Sequence, residues 1–415
     1  MKNRVKRVIN SAVIAAVTMS VMAMVFTGCA EKAANESAAV HSSSAATTAD
    51  VTTAAVSTST EARTETAAAT ATYTDLAGRK VSITTNVQRI VLLRSRDIYE
   101  LSAILGEEIS EKLVGWGPDL KNKDNDGYKK FLEVFPKLNS ITDTGDVQSD
   151  AVSVETVVNL SPDLVVADQY MLKEFQCVQK LIDAGLPVVC IDESTDPLAT
   201  PQKGIRLLGK ILGKESRADQ IANYADEQVK KIYNTVATLS GPKPRVYLEC
   251  GDTGPKTFSS AYAGADDQSW GTVMSKLRIT NIADGSIQET GQINPELVIS
   301  SNPDIIVITG QHWTSATDSM RLGFYADEAD SRARLQAYTT RTGWNNLSAV
   351  KNDRVYSVFH NLSMHIFDFV GLQALAKDFY PDAFENIDPE QNLKTFFDQY
   401  MPISYSGFYS IGLTK

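Results

Sequence analysis

The sequence predicts an α/β protein of two doubly wound, Rossmann-like lobes joined by a single long helix. Three observations carry that reading. Short, continuously apolar runs alternate with stretches of helical periodicity, the pattern of parallel sheets covered on both faces. One segment occurs twice: Glu155 precedes Pro162-Asp163-Leu-Val-Val, and Glu296 precedes Pro303-Asp304-Ile-Ile-Val, by seven residues each time. Between the copies, residues 214–239 read as one uninterrupted helix, with Ile221, Ala225, Val229, Ile232, Val236 and Leu239 at three- and four-residue steps. Gly213 precedes this helix and Ser240-Gly241-Pro242 stops it. At its rise per residue it spans roughly 35–40 Å, the width of a small domain. A ligand is expected between the lobes.

The N-terminus reads as a targeting segment. Lys2, Arg4, Lys6 and Arg7 form a basic head, and an apolar run follows to Phe26 and ends in Thr27-Gly28-Cys29. A cysteine directly after small residues resembles the lipobox of bacterial lipoproteins, with Phe26 where leucine is more usual. The resemblance implies cleavage before Cys29 and lipidation of its sulfur, and two acyl chains give stable anchoring. A plain transmembrane anchor is the competing reading; the cysteine sitting where the apolar run stops favours the lipoprotein. Residues 29–72 are mostly Ala, Ser and Thr and cannot bury enough apolar surface to fold, so they are expected to be a flexible tether.

The first lobe is expected over 73–212. A hairpin turns at Ala77-Gly78. Buried strands follow at 89–93, 112–116, 163–167 and 187–191, and leave through Arg94-Ser-Arg96, Trp116-Gly117-Pro118, Asp168-Gln169-Tyr170 and Asp192-Glu193. Helices are expected at 98–105, 154–160, 172–184 and, after Thr200-Pro201, up to the linker. The linking helix occupies 213–242. The second lobe, 243–385, repeats the alternation: strands at 245–250, 304–308 and 354–358, helices at 270–277 and 367–379. The 304–308 strand leaves through Gln311-His312-Trp313 and the last through Phe359-His360-Asn361. Residues 386–415, with a helix at 392–400 and the aromatic stretch Tyr405 to Tyr409, are expected to pack back on a lobe. In such sheets ligands bind beyond the carboxyl ends of the strands.

Composition narrows the function. The chain has 415 residues, 43% hydrophobic and 22% charged, with formal net charge −10. That charge, with no basic run outside the N-terminus, argues against nucleic-acid binding. Four cysteines and four histidines with no CxxC or HExxH argue against a structural zinc or His-rich metal site. No GxSxG and no GxxxxGK[ST] is present, which leaves an enzymatic reading without its usual motifs. Cys177, Cys190 and Cys250 read as buried free thiols, with a Cys177–Cys190 bridge as the open alternative.

Four stretches together resemble the solute-binding lipoproteins of ABC importers for ferric siderophores, haem and cobalamin. They are Thr74-Asp-Leu-Ala-Gly-Arg-Lys-Val81 followed by Gln88-Arg-Ile-Val91; Glu100 to Gly106 with Leu113-Val-Gly115; the two Pro-Asp strands; and Asn352 to Tyr356 before a helix ending at Ala376 to Pro381. The resemblance covers nearly all of 73–385. It implies two lobes on a rigid helical strut, an ABC permease and ATPase as partners, a place on the outer face of the cell membrane, and no cofactor beyond the cargo. Relatives of this fold also bind zinc, manganese, molybdate and tungstate, so fold does not fix ligand. A monomer is expected.

The site candidates follow from the exit loops. Arg94 and Arg96 can hold carboxylate, catecholate or other anionic oxygens in fork geometry, or can be surface arginines of an acidic protein. His360 can meet a metal or an anion, or be structural. His312-Trp313 is favoured for function, because an aromatic at a cleft edge usually touches something. Trp116, Tyr170, Tyr262 and Trp270 can line the pocket or pack in the core. His365 is expected to be structural. The polar insert 314–342, with Arg332 and Arg334, is expected to overhang the cleft. Glu100 falls where the family carries a glutamate that docks on a permease arginine; the matching second-lobe position is Thr272, with Asp266 or Asp267 as substitutes. The ligand expected is an iron complex, with an oxyanion as runner-up; a non-transport sensor uses the same fold.

Overall fold

The computed structural model describes residues 69–193, 195–264 and 269–414. The expected signal segment, Cys29, nearly all of the tether, Asp266 and Asp267 lie outside the described residues. Among the described residues no helix is long and apolar enough to cross a membrane.

Strands β1 (Thr70–Thr74) and β2 (Lys80–Thr84) pair as an antiparallel hairpin. Its turn needs a left-handed residue, supplied by Gly78 at φ 78°. Asp75 ties the hairpin to the first lobe. It takes a two-pronged bond from Arg79 and accepts from the Cys190 amide at 3.1 Å.

The first lobe is built on a parallel sheet of β3 (Ile90–Leu92), β4 (Leu113–Trp116), β5 (Thr142–Asp143), β6 (Leu164–Asp168) and β7 (Val188–Ile191), in spatial order β5-β4-β3-β6-β7. Strands β3, β6 and β7 are buried along their whole length, which is why they read as continuous apolar runs.

The second sheet holds β8 (Arg245–Cys250), β9 (Ala261–Tyr262), β10 (Thr280–Asn281), β11 (Thr290–Gly291), β12 (Ile305–Gly310), β13 (Val355–Phe359) and β14 (Ser410–Gly412). Its centre, β8-β12-β13, is parallel, but β9 pairs antiparallel with β8, β11 antiparallel with β9, and β14 antiparallel with β13. The sheet is therefore mixed, where alternation alone predicts a second parallel one. Segments as short as β9 and β11 give too little periodicity to be seen in sequence.

The doubled Pro-Asp motif has the same job in both lobes. Asp163 Oδ2 accepts from the Gln88 and Arg89 amides at 2.8 and 2.9 Å, and Asp304 Oδ2 accepts from the Arg245 amide at 2.9 Å. Each aspartate so fixes its strand beside the lobe's first strand. The arginines answer in kind: Arg89 donates to Leu160 O at the end of helix Val154–Asn159, and Arg245 donates to Ser301 O at the end of helix Pro295–Ser301. Ser161 and Asn302, each one residue before the proline, both take a left-handed conformation, φ 45° and 43°.

The linking helix is Glu215–Thr238, 24 residues. It buries Ala218, Ile221, Ala222, Ala225, Val229 and Ile232. On one side it packs on helix Thr200–Ile211 so closely that a Cβ on Gly209 would stand 2.2 Å from that of Ala218. On the other it meets helix Phe369–Phe379, where Gln373 Nε2 donates to Gln228 Oε1 at 3.0 Å inside the core. Its apolar stripe is thus shared between first- and second-lobe helices.

The C-terminal segment adds helix Pro389–Tyr400 and strand β14. Glu390 fastens it, accepting from the Tyr409 and Ser410 amides at 2.7 Å each and from the Tyr405 hydroxyl. Cys177, Cys190 and Cys250 are buried and free.

Candidate functional site

The exit loop of β3 meets the exit loop of β13 from the other lobe, where Arg94 and Arg96 reach Asn361 and Met364. Arg96, 7% exposed, is the cation of the first lobe that reaches Asn361 in the exit loop of β13. Arg96 follows β3 by a single turn, and its Nε donates to Asp119 Oδ2 at 2.9 Å. Its Nη1 reaches Asn361 Oδ1 at 3.4 Å and Met364 Sδ at 3.5 Å, both on the opposite lobe. No hydrogen bond of its Nη2 is present among the described residues. Asp119 is locked as the partner: it also accepts from the Ser95 amide and hydroxyl at 2.6 Å each. Burial pushes its carboxyl up, but the Arg96 charge and these hydrogen bonds outweigh that and hold it below the usual range.

Arg94, two residues away, is placed differently. It is 3% exposed, its Nε donates to Asp97 Oδ1 at 2.5 Å, and its Nη2 reaches Met364 O at 3.4 Å. Asp168, Glu193 and Glu100 also surround it. Arg94, expected as a ligand-binding fork, is here paired with Asp97 as an internal counter-ion. The cluster around it is acid-rich. Burial raises Asp97 to about 7, and burial with repulsion from Glu100 raises Glu193 well above the carboxylate range. Burial lifts Asp368 in the same way. Both carboxyl oxygens of Glu193 are buried without a partner, as are Asp97 Oδ2 and Asp368 Oδ2. Neutral, protonated acids are the form such groups take when no further cation meets them.

The facing wall is aromatic and uncharged. His360, just after β13, has Nδ1 2.9 Å from Thr309 Oγ1 and 3.9 Å from Cys250 Sγ. Burial, with the Arg96 charge, pushes this imidazole down to about 4, so it is neutral at physiological pH. Trp313 meets it edge-on with ring centroids 5.3 Å apart, and Tyr262 lies tilted at 6.4 Å. Tyr170, half-buried at the end of β6, is on the first-lobe side and near enough to feel both Arg94 and Arg96.

The other candidates fall outside this group. Trp270 is fully buried behind the wall, its Nε1 donating to His360 O at 3.1 Å; it supports the loop and has no surface for a ligand. Trp116 packs against Tyr128, ring centroids 6.1 Å apart. His312 turns away to Asp126 Oδ1 of the first lobe, at 2.7 Å. Glu100 is fully buried and accepts from His365 Nδ1 and the Ile366 amide at 3.1 Å each, so in this arrangement it presents nothing to another chain. Thr272 is 4% exposed. The insert forms a strap, 311–326, against the first lobe, then helix Glu328–Thr339, whose Arg334 donates to Thr317 O and Ser319 O at 2.8 Å.

Sequence reading missed Asn361, Met364, Thr309 and Asp119. Asn361 Nδ2 is buried with no partner beside Arg96, a donor of use to a ligand oxygen. Its only sequence signal is its place next to His360 in an exit loop. Among the described residues no group of three or more His, Cys, Asp or Glu is placed to hold a metal ion.

Comparison with known proteins gives a consistent set. Residues 103–360 match the family model described as periplasmic binding protein. The crystal structure of the TroA-like periplasmic binding protein FepB from Veillonella parvula is 35% identical, covers 83% of this chain and 99% of its own, and superposes with a TM-score of 0.78. An uncharacterized ABC transporter substrate-binding lipoprotein of Bacillus subtilis, YvrC, is 26% identical over 78% of this chain and 90% of its own. The molybdate-binding protein MolA of Haemophilus influenzae is 23% identical over 82% and 93%.

Proposed function

The chain belongs to the periplasmic binding protein family, and we propose that it is the membrane-anchored solute-binding component of an ABC importer that takes up an iron complex. Residues 1–28 are then the lipoprotein signal, Cys29 the lipidated residue, and 29–72 the tether that keeps the lobes near a permease and its ATPase. The name of the Bacillus subtilis relative supports the anchor and the transporter.

The observation that carries the ligand class is the pairing of Arg96 with a neutral, aromatic wall of His360, Trp313 and Tyr262. A chelate with anionic ligand oxygens around its metal and organic edges needs one forked cation and flat surfaces to lie on. A small oxyanion needs a dense shell of donors instead. Arg94, held by Asp97 among other acids, supplies no donor to such a shell. Haem and cobalamin, as organic complexes, are the alternative ligands of the same class.

Thermal unfolding with a ferric catecholate, a ferric hydroxamate, haem, cobalamin and molybdate tests the reading. A ligand at a hundred times its dissociation constant stabilises by about 2.7 kcal/mol. A shift with a ferric chelate supports the proposal; a shift with molybdate alone transfers the protein to the oxyanion reading, which the name of the Haemophilus influenzae relative favours. No shift with any of the five points to a sensor of another ligand.

A further inference from the structure

Met364 stands where the two exit loops meet, and first-lobe arginines hold it at two points. Arg94 Nη2 reaches its carbonyl oxygen at 3.4 Å, and Arg96 Nη1 reaches its sulfur at 3.5 Å. The same Arg96 nitrogen lies 3.4 Å from Asn361 Oδ1, so the amide and the sulfur share one donor. Both contacts are long, and a thioether is a weak acceptor. Asn361 is 1% exposed, and its Nδ2 is buried without an acceptor. The spot is therefore rich in donors and poor in acceptors: a guanidinium edge and a buried amide N–H beside a sulfur that satisfies them poorly.

The other methionines among the described residues lack this combination. Met171, Met274 and Met320 are at most 1% exposed, so a dissolved oxidant does not reach them in the folded chain. Met401 is partly exposed, as Met364 is, but it packs against the apolar core. Met364 joins a partly exposed residue to a cation at its sulfur. The backbone around it is fixed: the His365 amide donates to Asp368 Oδ1 at 2.8 Å, and the Ser363 hydroxyl lies 3.0 Å from Ser269 Oγ. A chemical change at the sulfur is thus felt by Arg96 rather than absorbed by the loop.

We infer that Met364 is an oxidation site whose sulfoxide oxygen takes the donors of Arg96 and Asn361 and so closes the site from within. The oxidant is a peroxide. A sulfur lone pair attacks one peroxide oxygen, and the S–O bond forms as the O–O bond breaks. The transferred oxygen gives its proton to the departing hydroxide, which leaves as water; sulfur loses two electrons and the peroxide gains them. The product is polar and can be reduced back to the thioether. Its oxygen accepts a charge-assisted hydrogen bond from Arg96, where the sulfur accepts only a weak one. The occlusion rests on the reading of Arg96 as the cation that meets a cargo oxygen: the sulfoxide offers the same guanidinium a covalently tethered competitor.

Hydrogen peroxide treatment of the full-length protein, followed by peptide mass mapping, tests the site. Met364 should gain an oxygen before Met171, Met274 or Met320 does. A Met401→Leu background keeps Met401 out of the measurement. In it, oxidation should raise the thermal midpoint by about 1–3 °C, and it should not do so once Arg96→Gln is added. Met364→Leu, treated alike, removes any contribution of the buried thiols. A methionine sulfoxide reductase should return the midpoint to its starting value. Titration with a ferric catecholate should show affinity roughly tenfold weaker after oxidation, and no such loss in Met364→Leu. The inference fails if Met364 is not oxidised ahead of the buried methionines, or if oxidation lowers the midpoint or shifts it equally with and without Arg96. It fails too if catecholate affinity survives oxidation. If no ferric chelate binds even the untreated protein, the cargo reading falls, and the paired midpoints still decide whether the sulfoxide holds Arg96.

Discussion

Glu100 of the first lobe and His365 of the second meet at 3.1 Å in a setting where neither side chain has more than 2% of its surface exposed. The same carboxylate oxygen also accepts from the Ile366 amide, and the His365 amide donates to Asp368 at 2.8 Å. The loop so fixed begins at His360, the imidazole that faces the cleft. A contact deep between the lobes therefore helps fix the loop that carries His360.

Glu100→Ala should cost about 3–5 kcal/mol in denaturant unfolding, because it leaves His365 and the Ile366 amide buried without their acceptor. The pH dependence has a definite sign. Burial raises the Glu100 carboxyl, but the His365 charge and hydrogen bond outweigh it and the net shift is downward. Its contribution is then present above the ordinary carboxylate range and lost as pH falls through the lower folded value. Identical acid profiles for wild type and Glu100→Ala would contradict the pairing.

The two arginines should separate in their effects. Arg96→Ala should weaken a bound ferric chelate by roughly 10- to 100-fold, the loss of one charge-assisted contact, measured by titration. Arg94→Ala should act mainly on stability, since it strands Asp97 among Glu100, Asp168 and Glu193. Equal losses of affinity with unchanged stability for both would return Arg94 to the binding surface.

The acid cluster predicts a stability that declines with rising pH. Asp97, raised to about 7, keeps its proton in the folded state between its ordinary value and about 7, where the unfolded chain has lost it. Stability from this group is full at acid pH and is lost as pH rises through about 7. Glu193 is raised in the same sense, so Glu193→Gln should flatten the decline and leave the variant more stable than the wild type by about 1 kcal/mol or more at pH 8. Urea midpoints at pH 5 and pH 8 decide it; a variant that is less stable at both shows that the carboxyl has a partner it needs.

The repeated aspartates should be equivalent. Asp163→Ala and Asp304→Ala should each cost about 1–2 kcal/mol, because each removes a charged acceptor from strand-start amides at a partly exposed site. Sitting in different lobes, they should add within about 0.5 kcal/mol in the double variant. A strong excess in the double variant would mean that the lobes share one folding unit through these strands.

Gly209→Ala places a methyl against Ala218 and should cost about 1–3 kcal/mol by forcing the linking helix off its first-lobe neighbour. Thermal unfolding reads it directly. No change would show that the two helices part freely.

The sequence by itself determined the frame. Apolar runs, the twin Pro162-Asp163 and Pro303-Asp304 strands and the 3.6-residue stripe of the linking helix are local patterns, and backbone geometry converts local patterns into strands, helices and their exit loops. The order of those loops placed Arg96, Tyr170, Trp313 and His360 at the carboxyl ends of their strands. Tertiary structure alone decided which side chains face the cleft. Arg94 and Arg96 differ by two positions and have the same chemistry. One finds Asp97 in its own turn and is drawn inside; the other finds Asp119 on a distant segment and keeps an edge toward the opposite lobe. His312 is claimed by Asp126, and Glu100 by His365, each from a residue of the other lobe. No local pattern encodes these choices, because the energy of a charge depends on what the rest of the chain brings within a few ångströms of it.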